Sequence, residues 1–335
     1  MQEHLTDQYG RRINTLRISL TDRCNFRCVY CMPPEGLPVI NKKRFLTIDE
    51  IERFVRIVGK LGVSRFRLTG GEPLLRADVI EIVSALRLVT TVRELAMTTN
   101  ASLLGKLARP LREAGLDRIN VSLDSLDPSR FNEVTRTSQY EKVRDGIETA
   151  IEEGFPVKLN VVVLKGMRDS EIIEFVELAS RRSLEVRFLE FMPLCGSGWQ
   201  GDRVYPIADV RDVVRQRFEL KELPRSFEPA QTFAIDGNGG RVGFIAPLSE
   251  PFCAACSRIR ISAEGTLKPC LFSNYEVQLG HLLKARESDE TLIEAIRHGV
   301  WNKPWGSEFA NEPFREGEAT VRRSIASPNI RSIGG

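Results

Sequence analysis

From residue 16 to 192 the chain repeats one theme: a short β-rich apolar run, then a longer stretch with apolar positions at helical spacing. The runs predict strands over 16–21, 65–69, 94–99, 118–123, 157–164 and 185–191, several rich in Val, Ile, Phe or Leu on both faces, as in buried parallel sheets. Between the first two strands Thr47 and Glu50 have the spacing of a capping box. Ile51, Phe54, Val55, Val58 and Leu61 continue it as an apolar stripe that ends at Gly62. Similar amphipathic segments occupy 78–89, 103–114, 141–153 and 170–182, and Pro110 is expected to bend or divide the second of these. Repeated β–α alternation predicts an α/β fold, either doubly wound or curled into a partial barrel, and periodicity leaves that choice open. In both, reactive groups gather at the C-terminal ends of strands. Cys24–Cys31, Thr69–Pro73, Asn100 and Asp124 follow successive predicted strands.

Beyond residue 193 the pattern is interrupted by Gly196, Gly198, Pro224, Pro229, Gly237, Gly239 and Gly240. Residues 1–192 therefore read as the β/α unit and 193–335 as a smaller, irregular region. The 335 residues are 42% hydrophobic and 28% charged, which is ordinary globular composition, and the net charge of +3 is too small to argue for nucleic acid. There is no basic stripe or aromatic platform. No apolar stretch approaches the roughly 18 residues of a membrane span, and the first twenty residues do not read as a signal peptide, so a cytoplasmic protein is expected.

In a reducing compartment seven cysteines ask for metal binding or catalysis rather than disulfides. Six form two triplets, Cys24, Cys28, Cys31 and Cys253, Cys256, Cys270, while Cys195 stands alone as a small apolar filler. Each triplet is one thiolate short of a closed four-ligand zinc site or a fully ligated four-iron cluster. An iron left open can bind a cofactor directly, as S-adenosylmethionine (SAM) does through its amino and carboxylate groups. A zinc loop completed elsewhere, a zinc ribbon half-site at the second triplet, and a zinc-binding module as a whole are the competing readings. The only histidines, His4, His281 and His298, lie away from both triplets. Gly70 and Gly71 alone would make a plain turn, but beside a cysteine loop they permit close backbone approach to a ligand. No G-x4-G-K-[ST] loop is present, so a triphosphate would be held by side chains, with Arg17, Arg67, Lys158 and Arg187 on or beside strands.

The C-x3-C-x2-C spacing followed by Thr69-Gly70-Gly71-Glu72-Pro73 resembles the radical SAM superfamily. Tyr30-Cys31-Met32-Pro33-Pro34-Glu35-Gly36, Arg67 to Pro73, Cys256-Ser257-Arg258-Ile259-Arg260 and a terminal Gly334-Gly335 narrow the resemblance to the GTP 3′,8-cyclase family, essentially end to end. The resemblance implies an incomplete (β/α)6 TIM-like barrel whose mouth is closed by the C-terminal region. It implies two [4Fe–4S] clusters, the first on Cys24, Cys28 and Cys31 binding SAM, the second on Cys253, Cys256 and Cys270 binding guanine. It further implies SAM contacts at Tyr30, Gly71, Ser122 and Met192, and GTP contacts at Arg17, Arg67, Thr98, Lys158, Arg258 and Arg260. Arg258, Arg260 and a Gly334-Gly335 tail that enters the active site are implied to be needed for catalysis. The implied reaction converts GTP to (8S)-3′,8-cyclo-7,8-dihydroguanosine 5′-triphosphate, the first step of molybdenum cofactor biosynthesis. Its implied partners are a one-electron donor such as flavodoxin or ferredoxin and a downstream cyclic pyranopterin monophosphate synthase. Monomer and homodimer stay open, as does another two-cluster radical SAM enzyme of the peptide maturase type.

Overall fold

The computed structural model describes residues 4–194, 200–224, 228–235 and 239–306. Six β/α units run in order: β1 (Thr15–Ser19), α1 (Ile48–Lys60), β2 (Arg65–Thr69), α2 (Val79–Arg87), β3 (Glu94–Thr99), α3 (Leu104–Glu113), β4 (Arg118–Ser122), α4 (Pro128–Thr135), α5 (Tyr140–Glu152), β5 (Val157–Val163), α6 (Asp169–Arg182) and β6 (Glu185–Glu190). The capping box at α1 is formed on both sides: Thr47 Oγ1 accepts from Glu50 N at 3.3 Å and Glu50 Oε2 accepts from Thr47 N at 2.8 Å. Pro110 does not divide α3, which is one helix through Glu113.

The C-terminal region adds α7 (Ile207–Arg215), β7 (Leu220–Glu222), β8 (Gln231–Ile235), β9 (Arg241–Ile245), β10 (Arg258–Ile261), β11 (Thr266–Lys268), β12 (Val277–Gln278), α8 (Gly280–Lys284) and α9 (Asp289–Trp301). Its strands are two to five residues long, too short for alternation to announce them. They lengthen both edges of one mixed sheet, in the order β12-β11-β10-β1-β2-β3-β4-β5-β6-β9-β8-β7. β10 runs parallel to β1 and β9 parallel to β6, so the incomplete TIM-like barrel is continued on each side by chain from the C-terminal half.

The two faces of the sheet differ. Leu16, Ile18, Phe66, Leu68, Leu95, Met97, Ile119, Val121, Leu159, Val161, Val186 and Phe188 are buried on one, in a core that also takes Phe54, Val58 and Phe175 from the helices. The other face is polar: Arg17 is in register with both Arg67 and Arg260, Thr98 with Asn120, Asn120 with Lys158, and Asn160 with Arg187. Partners in register point to the same side. The strands are thus apolar outward and polar inward, not apolar on both faces, and the inner face carries the chemistry. Among the described residues no helix is long and apolar enough to cross a membrane.

Candidate functional site

The first cysteine loop leaves β1 and is fastened to α4 by backbone hydrogen bonds and by the packing of Phe26. Arg27 N and Val29 N donate to Thr135 O and Val134 O at 3.0 and 2.9 Å, and Phe26 meets Phe131 edge-on at 6.0 Å. Arg136, at the left-handed end of α4, donates to Arg27 O and Met32 O at 3.1 and 3.0 Å. Thus α4, absent from the sequence expectations, holds the loop, although Asp127-Pro128 is a helix-start signal and Asp127 caps Arg130 N at 2.9 Å. The turn after β2 runs against the loop's entry: Gly71 N donates to Thr21 O at 2.8 Å and Glu72 N to Arg23 O at 2.7 Å. A Cβ at Gly70 would lie 2.4 Å from Thr21 O and one at Gly71 2.2 Å from Arg23 O, so both glycines are required by backbone-to-backbone contact.

Glu72 is buried beneath this turn. It accepts from Leu74 N at 3.1 Å, Thr99 Oγ1 at 2.7 Å and Asn100 N at 2.7 Å, and burial pushes its carboxyl up to about 7. Asn100 in turn donates to Asn25 Oδ1 at 2.9 Å, tying β3 to the cysteine loop. Tyr30 OH donates to Asp124 Oδ2 at 2.6 Å, whose other oxygen accepts from Val162 N at 3.0 Å. Ser122 ends β4 in register with Asn160, and Met192, just past β6, packs with Phe272 against the cluster of Leu194 and Leu271. Asn120 Nδ2 and Asn160 Oδ1 are buried on the inner face without a hydrogen-bond partner among the described residues.

The second triplet lies at the β10 edge, set about by cations. Lys303 Nζ donates to Arg258 O at 2.7 Å and Pro269 O at 2.6 Å and lies 3.5 Å from Cys256 Sγ. Arg11 donates to Cys253 O at 3.0 Å, Trp305 O at 2.8 Å and Pro304 O at 2.6 Å, and pairs with Asp7 at 2.5 Å. Arg258 reaches Cys256 Sγ at 3.8 Å and stacks over Phe252 at 4.7 Å. Lys303 and Arg11 were not among the sequence candidates; no local motif surrounds them. Arg17 makes no ion pair among the described residues, and burial first, then its neighbours Arg260, Arg67 and Arg258, hold it well below its ordinary value. Thr98 lies on β3, in register with Asn120, between this group and Lys158. Toward the N-terminal ends of the strands, Arg67, Arg118, Lys158 and Arg187 converge on Glu228. Gly243 makes room, since a Cβ there would lie 3.2 Å from Arg187 Cγ.

Among the described residues no three His, Cys, Asp or Glu side chains close on the position of one ion, and none of the six described cysteines is in a disulfide. The first three are nonetheless near enough for Cys31 and Cys24 to act electrostatically on Cys28. A spread set of three soft donors suits a multi-iron cluster better than one zinc ion. Cys195, Gly334 and Gly335 lie outside the described residues.

Partial barrel, three-cysteine loop and Thr69–Pro73 turn together define a radical SAM protein. The Radical SAM superfamily model matches residues 18–179 and the Molybdenum Cofactor Synthesis C model residues 184–309. The chain is 41% identical to the GTP 3′,8-cyclase of Syntrophomonas wolfei, over 93% of this chain and 100% of that one. It is 45% identical to Molybdenum cofactor biosynthesis protein 1 of Bos taurus, over 98% of this chain and 53% of that one. The corresponding Mus musculus protein is 43% identical, over 90% and 49%. The chain thus spans about half the length of these two mammalian relatives. In structure it resembles Streptococcus suis SuiB bound to S-adenosylmethionine, with a TM-score of 0.60 at 17% identity over 87% of this chain and 68% of that one. The chain belongs to the GTP 3′,8-cyclase family.

Proposed function

We propose that this chain converts GTP to (8S)-3′,8-cyclo-7,8-dihydroguanosine 5′-triphosphate, opening molybdenum cofactor biosynthesis. In this reading residues 1–192 form the radical SAM barrel, and 193–335 carry a second [4Fe–4S] cluster on Cys253, Cys256 and Cys270. The observation that carries it is the shared inner face: it bears Arg17, Arg67, Lys158, Arg258 and Arg260, with one cysteine triplet following β1 and the other flanking the adjacent β10–β11 pair. The chemistry that SAM and a [4Fe–4S] cluster on Cys24, Cys28 and Cys31 supply when bound is a 5′-deoxyadenosyl radical able to take the ribose 3′ hydrogen.

The remaining tasks fall to side chains. Tyr30, Gly71, Ser122 and Met192 border the space where SAM would lie, and Asp124 fixes the Tyr30 hydroxyl. Arg17, Arg67, Thr98 and Lys158 hold the nucleotide through charge-assisted bonds, and Arg258 and Arg260 orient guanine so that C3′ faces C8. The new C3′–C8 bond leaves the ring one electron and one proton short of the dihydro product. The electron ultimately comes from a ferredoxin- or flavodoxin-type donor, and the arginines stand where the charge on guanine develops. The product would pass to the downstream cyclic pyranopterin monophosphate synthase.

The test is an anaerobic assay of reconstituted protein with SAM, dithionite and GTP, following 5′-deoxyadenosine and cyclised nucleotide by mass spectrometry beside an iron and zinc count. GTP-dependent 5′-deoxyadenosine with a cyclic product is expected. Deoxyadenosine independent of GTP would discard the substrate, and zinc without SAM cleavage would discard the chemistry.

A further inference from the structure

Glu228 stands just before β8, on a hairpin outside the six β/α units, yet its carboxylate enters the inner face of the barrel. Oε1 lies 2.7 Å from Arg118 and 3.6 Å from Arg67, Oε2 lies 3.0 Å from Lys158, and Arg187 completes the set. These four cations come from β2, β4, β5 and β6. The fixed carboxylates nearby are strand residues: Glu94 pairs with Arg118 at 2.6 Å, and Glu185 pairs with Lys158 at 3.0 Å and with Arg187. Among the described residues Glu228 is the one carboxylate paired with these cations that comes from outside the six β/α strands, and its side chain keeps one-fifth of its surface exposed.

We propose that Glu228 is a resident counter-ion that determines specificity for the polyphosphate: it occupies the cationic seat until an anion of higher charge displaces it. The inference rests on the nucleoside triphosphate reading above. Buried cations left without an anion repel one another, so a carboxylate that enters the cluster stabilises the site before substrate arrives. Any incoming anion must replace four ion-pair contacts with its own. A triphosphate brings three or four charges and enough acceptor oxygens to meet all four cations, whereas a monophosphate brings at most two charges and three terminal oxygens. Glu228 therefore weakens binding of every anion and weakens short ones most. The cations hold its carboxyl well below the usual carboxylate range, against the effect of burial, so it stays charged at neutral pH.

The test is titration calorimetry of the full chain with inorganic tripolyphosphate, GTP, ATP and GMP, comparing the wild-type protein with Glu228→Gln, Glu228→Asp and Glu222→Gln. Glu222 is an exposed carboxylate on the same hairpin that bonds Gln231 at 2.8 Å. Glu228→Gln is expected to bind tripolyphosphate about tenfold more tightly and to narrow the preference for GTP over GMP. Glu228→Asp, which keeps the charge, and Glu222→Gln should stay near wild type. Unchanged or weaker tripolyphosphate binding in Glu228→Gln would overturn the proposal, the weaker result making Glu228 a partner of the ligand. Tighter tripolyphosphate binding with no preference for GTP over ATP in either protein would keep the counter-ion and remove the guanosine reading.

Discussion

The two cysteine triplets offer the same three thiols to opposite electrostatic surroundings. At the first, burial pushes the Cys28 thiol well up, and Asp124 and the other two thiols push it further. At the second, burial also raises Cys256, but Lys303 and then Arg258 outweigh it and bring the thiol down to about 6. The positive charge that stabilises thiolates must come from metal at the first loop, whereas the protein already supplies part of it at the second. Equal ligand number therefore does not imply equal role. The charged groups that act on Cys28 are acidic, whereas those that act on Cys256 are the cations Lys303 and Arg258.

The most severe way to break this comparison is to remove a ligand at the first site. Cys24→Ala, Cys28→Ala or Cys31→Ala should abolish 5′-deoxyadenosine formation while the iron proposed at the second triplet is retained; deoxyadenosine persisting in all three would end the assignment. Arg258→Ala and Arg260→Ala should leave the iron content intact and lower kcat/KM for GTP about a hundredfold, as expected for lost charge-assisted bonds. Wild-type turnover in both would separate the second triplet from the nucleotide.

Lys303→Met removes the donor shared by Arg258 O, Pro269 O and Cys256 Sγ and should cost roughly 2–4 kcal/mol in urea unfolding of the metal-free chain. A stability equal to wild type would mean that the cation is not needed at that edge.

The smallest effect sharpens the contrast from the first side. Because burial raises the Glu72 carboxyl from 4.5 to about 7, the folded protein holds a proton that the unfolded chain has lost across that range. Stability contributed by the neutral form is present below the unfolded value and declines as pH rises toward about 7. Glu72→Gln should flatten this slope, by roughly 1–2 kcal/mol between pH 5 and 7.5. Parallel pH profiles in thermal unfolding would show that Glu72 does not titrate there.

The six β/α strands were legible because apolar residues recur at alternate positions in each short run between polar loops, and α1 because Thr47 and Glu50 satisfy its first turn locally. The α4 helix was legible in principle from Asp127-Pro128, but its short apolar stripe, Phe131 and Val134, falls below the length at which periodicity speaks. The strands β7 to β12 escaped for the same reason. The cysteines stood out because the ligands of each triplet are close along the chain. Lys303 did not, since forty-seven residues separate it from Cys256.

The chain by itself determined the two cysteine triplets, the β/α order and the family, since cysteine spacing, turn glycines and apolar periodicity are properties of neighbouring residues. Only the tertiary structure decided which charges meet. Glu228 faces Arg67, Arg118, Lys158 and Arg187 because four strands and an edge hairpin curl onto one face. Lys303 reaches Cys256 because α9 returns the chain to the β10 edge. Burial and electrostatic potential are sums over everything nearby in space, and no local pattern along a sequence encodes that sum.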